Sequence, residues 1–184
     1  MSEYRRWLVP GGTCYFTVVT YRRRPIYGDE EAVHLLGTVM REERETSPFH
    51  TIAMVVLPDH FHCVWSLPPG DADFSTRWKR IKRDFTIRWL EQGGCELPVS
   101  ASRRDRGERG VWQRRFWEHQ VEDEADLEHC CDYIHYNPVK HGYVARPSEW
   151  PWSTYPKFVA GGHYPPDWGT TLPPSLDNDL PMGE

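Results

Sequence analysis

Three apolar runs of the chain have the pattern that β-strands show. The first, residues 13–20, follows a Gly-Gly pair and is rich in β-branched and aromatic side chains. Two further runs, residues 51–57 and 60–66, are separated only by Pro58 and Asp59, a pair that favours a turn. We therefore predict one strand near the start of the chain and, later, a hairpin of two strands.

Apolar residues recur at helical spacing in three longer segments. The first two, about residues 29–45 and 73–92, each open on an aspartate, which is a favoured N-cap residue. The third spans about residues 123–137, and Pro138 disfavours helical geometry in the residue before it. The spacing predicts three helices, of which the last ends before the proline.

The remaining segments complete an α+β pattern. Residues 95–111 mix Gly, Pro, Ser and Arg without periodicity and predict a mobile basic loop, whereas residues 112–121 predict a strand. The order β-α-β-β-α-β fits a ferredoxin-like antiparallel sheet, to which a C-terminal helix is added. We predict a catalytic domain over residues 1–144. Residues 145–184, rich in Pro and Trp, are expected to form an extended tail packed on it and frayed after about Leu172.

Composition limits the setting in which the protein works. The first twenty residues lack a signal-peptide pattern, and the chain has no apolar run of about 18 residues. Five cysteines without CxxC spacing favour reduced, buried thiols over disulfides or a thiolate zinc site. We expect a cytoplasmic protein that does not enter a membrane.

The net charge of −5 by itself argues against a nucleic-acid partner, but the charges are unevenly distributed. Residues 77–83 contain five bases and no acid. These bases are Arg77, Lys79, Arg80, Lys82 and Arg83. We expect this helix face to bind along the phosphates of DNA. The alternative is an ordinary charged helix face exposed to solvent. Four arginines within residues 103–109 form either a further DNA contact or a solubilising loop.

Two groups of polar residues have the spacing that chemistry requires. His60 and His62 are two apart in a predicted strand, so both imidazoles lie on one face and could supply two ligands of a metal site. Tyr133 and Asn137 are four apart in a predicted helix and also share a face. If this helix packs over the His60 strand, the four side chains converge. Each group also has an ordinary structural interpretation, as strand histidines, a core tyrosine and a helix terminator.

Several separated motifs give the chain a resemblance to a known family. They are L-P-D-H-F-H-C-V-W, R-F-W-E-H and D-Y-I-H-Y-N-P-V-K-H-G, and the likeness extends from S-E-Y-R-R to Y-P-P-D-W, over about residues 1–170. In this order and spacing they resemble the REP-associated tyrosine transposases, which belong to the HUH single-tyrosine transposases.

The resemblance implies both a site and a reaction. His60 and His62 would bind a divalent metal, Mg²⁺ or Mn²⁺, and Asn137 would be the third ligand, where related transposases often have Gln. Tyr133 would be the nucleophile; Tyr136, its competitor, lies about 300° around the helix. The implied substrate is single-stranded DNA with a REP hairpin, nicked and rejoined through a 5′-phosphotyrosine by a monomer or homodimer.

Three questions stay open at this point. His119, in the second motif, could orient a metal ligand through a hydrogen bond or be an alternative ligand, but we favour a structural histidine; Glu118 is equally open. The tail either packs on the domain, which we favour, or covers the DNA groove. A non-catalytic single-strand-binding module and a phosphodiesterase that uses water are the alternative functions.

Overall fold

A computed structural model describes residues 9–176 of the chain. The opening S-E-Y-R-R motif and residues 177–184, which include most of the predicted frayed end, lie outside the described residues. The helices and strands are β1 (Thr13–Val19), α1 (Glu30–Thr46), β2 (His50–Val56), β3 (His60–Ser66), α2 (Phe74–Glu91), α3 (Ala101–Asp105), β4 (Trp117–Gln120), α4 (Glu124–Lys140) and α5 (Tyr155–Ala160).

The four strands form one antiparallel sheet in the order β2-β3-β1-β4. This is the strand order of a ferredoxin-like sheet, and the α+β prediction is confirmed. Register places Val19, at the end of β1, opposite His60 at the start of β3, with Thr17 opposite His62. The loop that follows β1 and the histidine pair therefore lie at the same end of the sheet.

The two faces of the sheet are covered by different helices. Phe61, Cys63 and Trp65 of β3 pack into the larger core with α1 and α2, because alternate side chains of a strand point to one face. Val64, on the opposite face, packs into a second core with Ile134 of α4. His60 and His62 share the face of Val64, so the sheet presents them to α4.

Helix α4 extends further than the sequence predicts. It passes through Pro138 and ends at Lys140, three residues beyond the predicted end. Ile134, His135 and Asn137 are fully buried in this part of α4, so tertiary packing outweighs the local preference of the proline. This extension places Lys140 on the same helix as Tyr133.

Residues 95–121 also differ from their prediction. The predicted mobile loop contains α3 and is held by ion pairs, among them Arg103 with Glu108 (2.8 Å) and Arg109 with Glu96 (2.7 Å). The last strand of the sheet is limited to residues 117–120, and only an isolated bridge from Trp112 to Thr20 precedes it. The arginines of this segment predicted a solvated loop. In the structure they instead hold the segment in place through ion pairs with its own carboxylates.

The described part of the tail packs on the domain. Its backbone extends the edge of β2, where Trp152 O accepts from Val56 N at 2.8 Å. Further along, Ser175 donates to Asp132 of α4 at 2.5 Å, so residues up to 176 are held on the domain. None of the helices described here is long and apolar enough to cross a membrane.

Candidate active site

His60 and His62 form a buried pair on β3. Their ring centroids lie 4.8 Å apart, and their exposed fractions are 1% and 0%. In each ring Nδ1 is anchored by a neighbour: Asp59 lies 2.6 Å from His60 Nδ1, and the Tyr15 hydroxyl lies 2.7 Å from His62 Nδ1. Nε2 is therefore the nitrogen of each ring that would face a metal.

The charge states around His60 suit metal binding. Burial lowers the pKa of His60 although Asp59 opposes this shift, so the imidazole is neutral at pH 7, the form that binds metals. Burial disfavours the Asp59 carboxylate, but His60 and Arg23 hold its pKa below the ordinary value. His60 Nε2 is itself buried and, among the described residues, has no hydrogen-bond partner. A buried ring nitrogen left in this way fits a metal ligand.

Tyr133 and Asn137 of α4, and His141 directly after its end, follow one another at four-residue spacing on the side of the histidine pair. The Tyr133 ring lies 5.5 Å from the His62 ring, and the His141 ring, at the end of the helix, lies 5.4 Å from the His60 ring. Asn137 is one turn from each of them and is fully buried, so it lies on the same helix face between them. The fold thus brings Tyr133 to the histidine pair and places the buried Asn137 on the same helix face.

Lys140 is a polar neighbour of Tyr133 that sequence reasoning missed. Its Nζ donates to the Tyr133 hydroxyl at 2.8 Å and lies 4.6 Å from the ring centroid. A spacing of seven residues, two helical turns, could have indicated this contact, but the predicted helix ended at residue 137. Tyr136 lies on another side of α4, beside Gly169 of the tail.

His119 contacts Asp126 of α4 and not the histidine pair. Its Nε2 lies 2.8 Å from Asp126 Oδ2, and Cys130 Sγ lies 3.8 Å from Asp126 Oδ1. These three residues could offer ligand atoms within 4.8 Å of one another. However, burial and Asp126 raise the pKa of the Cys130 thiol, which disfavours the thiolate that a metal requires. The geometry favours a structural contact between β4 and the first turn of α4.

The five bases of α2 divide between two sides of the helix. Arg77 is only 4% exposed, with Nη2 2.5 Å from Asp71 Oδ2 and 2.9 Å from Pro48 O. Arg80 turns toward α1, where it contacts Glu43 and Ser47. The expectation that all five bases follow phosphates does not fit Arg77, because its guanidinium is buried in intramolecular hydrogen bonds.

The other three bases, Lys79, Lys82 and Arg83, line a groove of about 850 Å³ between α2 and the 95–116 segment. Its wall also contains aromatic rings and four further arginines. The basic groove is lined by Trp78, Lys79, Lys82, Arg83, Arg103, Arg106, Arg109, Trp112, Arg114 and Phe116, and by one acid, Glu108. Burial lowers the pKa of Lys82 to about 8, and its Nζ lies 5.7 Å from each of the Trp112 and Phe116 rings.

Known proteins share this fold and sequence over nearly the whole chain. The chain is 44% identical over 168 residues to the REP-associated tyrosine transposase of Escherichia coli (strain K12), covering 91% of each. It is 38% identical over 180 residues to a Haemophilus influenzae protein assigned to the same family, covering 98% of this chain and all of that protein. The chain matches none of the protein-family models compared with it.

A solved structure gives the same result. It is a REP-associated tyrosine transposase bound to a REP hairpin, 39% identical to this chain with a TM-score of 0.78, and the match covers 100% of this chain and 98% of that one. Fold, site and relatives together define the class: the protein is a transposase. Within that class, the chain belongs to the REP-associated tyrosine transposase family.

Proposed function

We propose that this chain nicks and rejoins single-stranded DNA beside a REP hairpin, with Tyr133 as the nucleophile and a divalent metal at His60, His62 and Asn137. The cytoplasmic location and the monomeric or homodimeric state remain predictions. The observation that most directly supports the proposal is the packing of the Tyr133 ring 5.5 Å from that of His62, in a buried polar cluster between β3 and α4.

The donor set of this cluster fits a metal. Two imidazoles with anchored Nδ1 atoms and one buried amide can supply three ligands and leave positions for water and phosphate. When bound, Mg²⁺ or Mn²⁺ would draw charge from a non-bridging oxygen of the scissile phosphate. The protein's own contribution is to hold the ligands in place, through Asp59 for His60 and through Tyr15 and Thr17 for His62.

The proposed reaction exchanges one phosphodiester for another. The Tyr133 oxygen attacks phosphorus, and the bond from phosphorus to the 3′ oxygen breaks. The phenol loses its proton, and the leaving 3′ oxygen gains one and becomes a hydroxyl. The product is a 5′-phosphotyrosine, which keeps the bond available for rejoining. A free phenol has a pKa of about 10, so most of it is protonated at pH 7. The Lys140 ammonium, 2.8 Å from the hydroxyl, favours negative charge that develops there during attack.

The basic groove is the proposed contact for DNA. Lys79, Lys82 and Arg83 can neutralise phosphates, and Phe116, the half-buried aromatic ring of the groove, can contact an unpaired base. The solved relative is bound to a REP hairpin, which supports the same class of ligand here. We omit Arg77 from the proposed contact, and we assign Arg80 a position beside α1.

Covalent trapping tests this proposal. Wild-type protein is incubated with end-labelled single-stranded DNA that carries a REP hairpin, with Mg²⁺, Mn²⁺ or EDTA, and resolved on a denaturing gel. We expect a labelled protein band that requires the metal. The His60→Ala and Asn137→Ala variants should reduce it, and the Asn137→Gln variant should retain more of it than the alanine variant.

The gel also separates the alternative functions. Binding of the hairpin with no cleavage under any metal condition would support a non-catalytic module. Repeated cleavage without a protein adduct would support a phosphodiesterase that uses water. Tyr136→Phe is the matched control for the nucleophile, because it removes a hydroxyl from the same helix outside the Tyr133–His62 contact.

A further inference from the structure

Two consecutive residues after β1 have a backbone conformation that side chains disfavour. Arg22 and Arg23 have φ of +55° and +51°, and they are the only residues other than glycine with positive φ between residues 9 and 176. Glycine or asparagine would adopt this conformation at lower cost. Outliers of this kind concentrate at functional sites, so the two guanidinium groups call for a functional explanation.

The turn that contains them, residues 21–24, which we name the arginine turn, lies between the basic groove and the metal-site histidines. On the groove side, Arg103 Cζ lies 4.4 Å from the centroid of the Tyr21 ring. On the other side, Arg23 Nη1 lies 3.2 Å from Asp59 Oδ2, and Asp59 holds His60. A DNA strand that runs from the basic groove to the histidine pair around this end of the sheet would cross the arginine turn.

The backbone of the arginine turn is fixed at both ends. Tyr21 N donates to Val111 O at 2.8 Å, and Thr20 Oγ1 donates to Arg24 O at 2.7 Å. Arg24 Nη1 in turn donates to Cys95 O at 2.8 Å. The exposed side chains of Arg22 and Arg23 are therefore displayed from a rigid base, which reduces the entropy lost on binding a ligand.

We propose that the arginine turn binds phosphates of the single-stranded segment that joins a hairpin held in the basic groove to the scissile bond at Tyr133. This inference rests on the proposed function and adds a binding site to it. Arg22 is the main contact, because Arg23 is already engaged with Asp59. Guanidinium groups suit this ligand because they bind phosphate oxygens through paired hydrogen bonds.

The test compares two DNA probes. One is a bare REP hairpin oligonucleotide, and the other is the same hairpin with about ten unpaired nucleotides on each side. Affinities are measured by fluorescence anisotropy at several salt concentrations. Wild-type protein should bind the extended probe more tightly than the bare one, and equal affinity for the two would overturn the inference.

Variants at Arg22 separate the effect of its charge on DNA binding from the effect of its backbone conformation on stability. Arg22→Gly and Arg22→Asn both tolerate positive φ, so both should fold with a Tm at or above that of the wild type. We expect each to lose about tenfold in affinity for the extended probe, and the slope of log affinity against log salt should fall by about 0.7. Affinity for the bare hairpin should change by less than about twofold, and Arg22→Lys should retain most of the binding.

Arg44→Ala removes an exposed arginine from α1 and is the matched control. The inference is overturned if the Arg22 variants bind both probes as the wild type does, or lose affinity for both probes equally. Failure of the proposed function would look different: wild-type protein would form no covalent adduct, while the comparison of the two probes would still decide whether the turn binds single strands.

Discussion

Two tyrosines show how the neighbour of a phenol decides its chemistry. The Tyr164 hydroxyl donates to Asp132 at 2.7 Å, and burial together with this carboxylate raises its pKa, so it remains a neutral structural group. Tyr133, one residue after Asp132 in the chain, instead accepts from the Lys140 ammonium. An adjacent positive charge favours an oxygen that becomes anionic or that attacks phosphorus. The contrast explains why, of these two buried tyrosines, we assign nucleophilic attack to Tyr133.

We predict that Lys140→Met slows adduct formation by about 10- to 100-fold, because it removes a donor beside the reacting oxygen while keeping a long apolar stem. Hairpin affinity should be nearly unchanged, since the loss falls on the chemical step. Single-turnover gels and anisotropy measure the two quantities separately.

Lys140→Arg should recover part of the rate, and Lys157→Met, at an exposed lysine of α5, should leave it at the wild-type value. A normal rate in Lys140→Met would remove the lysine from the mechanism. So would a loss of hairpin affinity that accounts for the whole effect.

Individual elements show where sequence reasoning succeeds and where it fails. The alternation of β3 predicts the shared face of His60 and His62, because side-chain direction in a strand is a local property. The predicted end of α4 was wrong, because burial of residues such as Asn137 outweighs the tendency of Pro138 to end a helix. Burial depends on residues far away in the chain. Lys140 was missed because the predicted helix ended at residue 137, and the contact of Asp59 with His60 was missed because Asp59 was assigned only to a turn.

The bases of helix α2 divide between a buried side and a groove side, so their substitutions should have different effects. Arg77→Ala should lower the free energy of unfolding by about 2–4 kcal/mol, since it leaves Asp71 and buried carbonyl oxygens without their partner. Arg83→Ala should change stability by less than about 0.5 kcal/mol. It should also reduce the slope of log hairpin affinity against log salt by about 0.9.

Urea unfolding and salt-dependent anisotropy on both variants check this division. An Arg77→Ala protein of normal stability that loses the same salt slope as Arg83→Ala would contradict it. That result would return Arg77 to the DNA-binding set that the sequence predicts.

The tail packs on helix α4 through buried polar contacts. His135 of α4 lies 3.0 Å from the Tyr164 hydroxyl and 2.9 Å from Thr154 Oγ1. Burial lowers the pKa of His135 to about 3. The packed tail therefore depends on a histidine that stays neutral in the folded state.

The sign of the resulting pH dependence follows from linkage. Because the unfolded chain protonates His135 at a pKa of about 6.5 and the folded chain only near 3, stability from this group is fully present above pH 6.5. It is lost as the pH falls toward 3. Between pH 7 and pH 5 the loss from His135 should be about 2 kcal/mol. Urea unfolding at both pH values should show that the free energy of unfolding of His135→Gln falls less than that of the wild type, by about that amount. An equal decrease in the two proteins would contradict the low pKa of His135.

Mapping the covalent adduct shows whether Tyr133 or another residue becomes joined to DNA. Trypsin releases residues 116–140 of the trapped protein, a peptide that contains both Tyr133 and Tyr136. Fragmentation in a mass spectrometer then locates the nucleotide phosphate on one residue. We expect phosphate on Tyr133 and no adduct in Tyr133→Phe. Phosphate on Tyr136, or an adduct that persists in Tyr133→Phe, would contradict it.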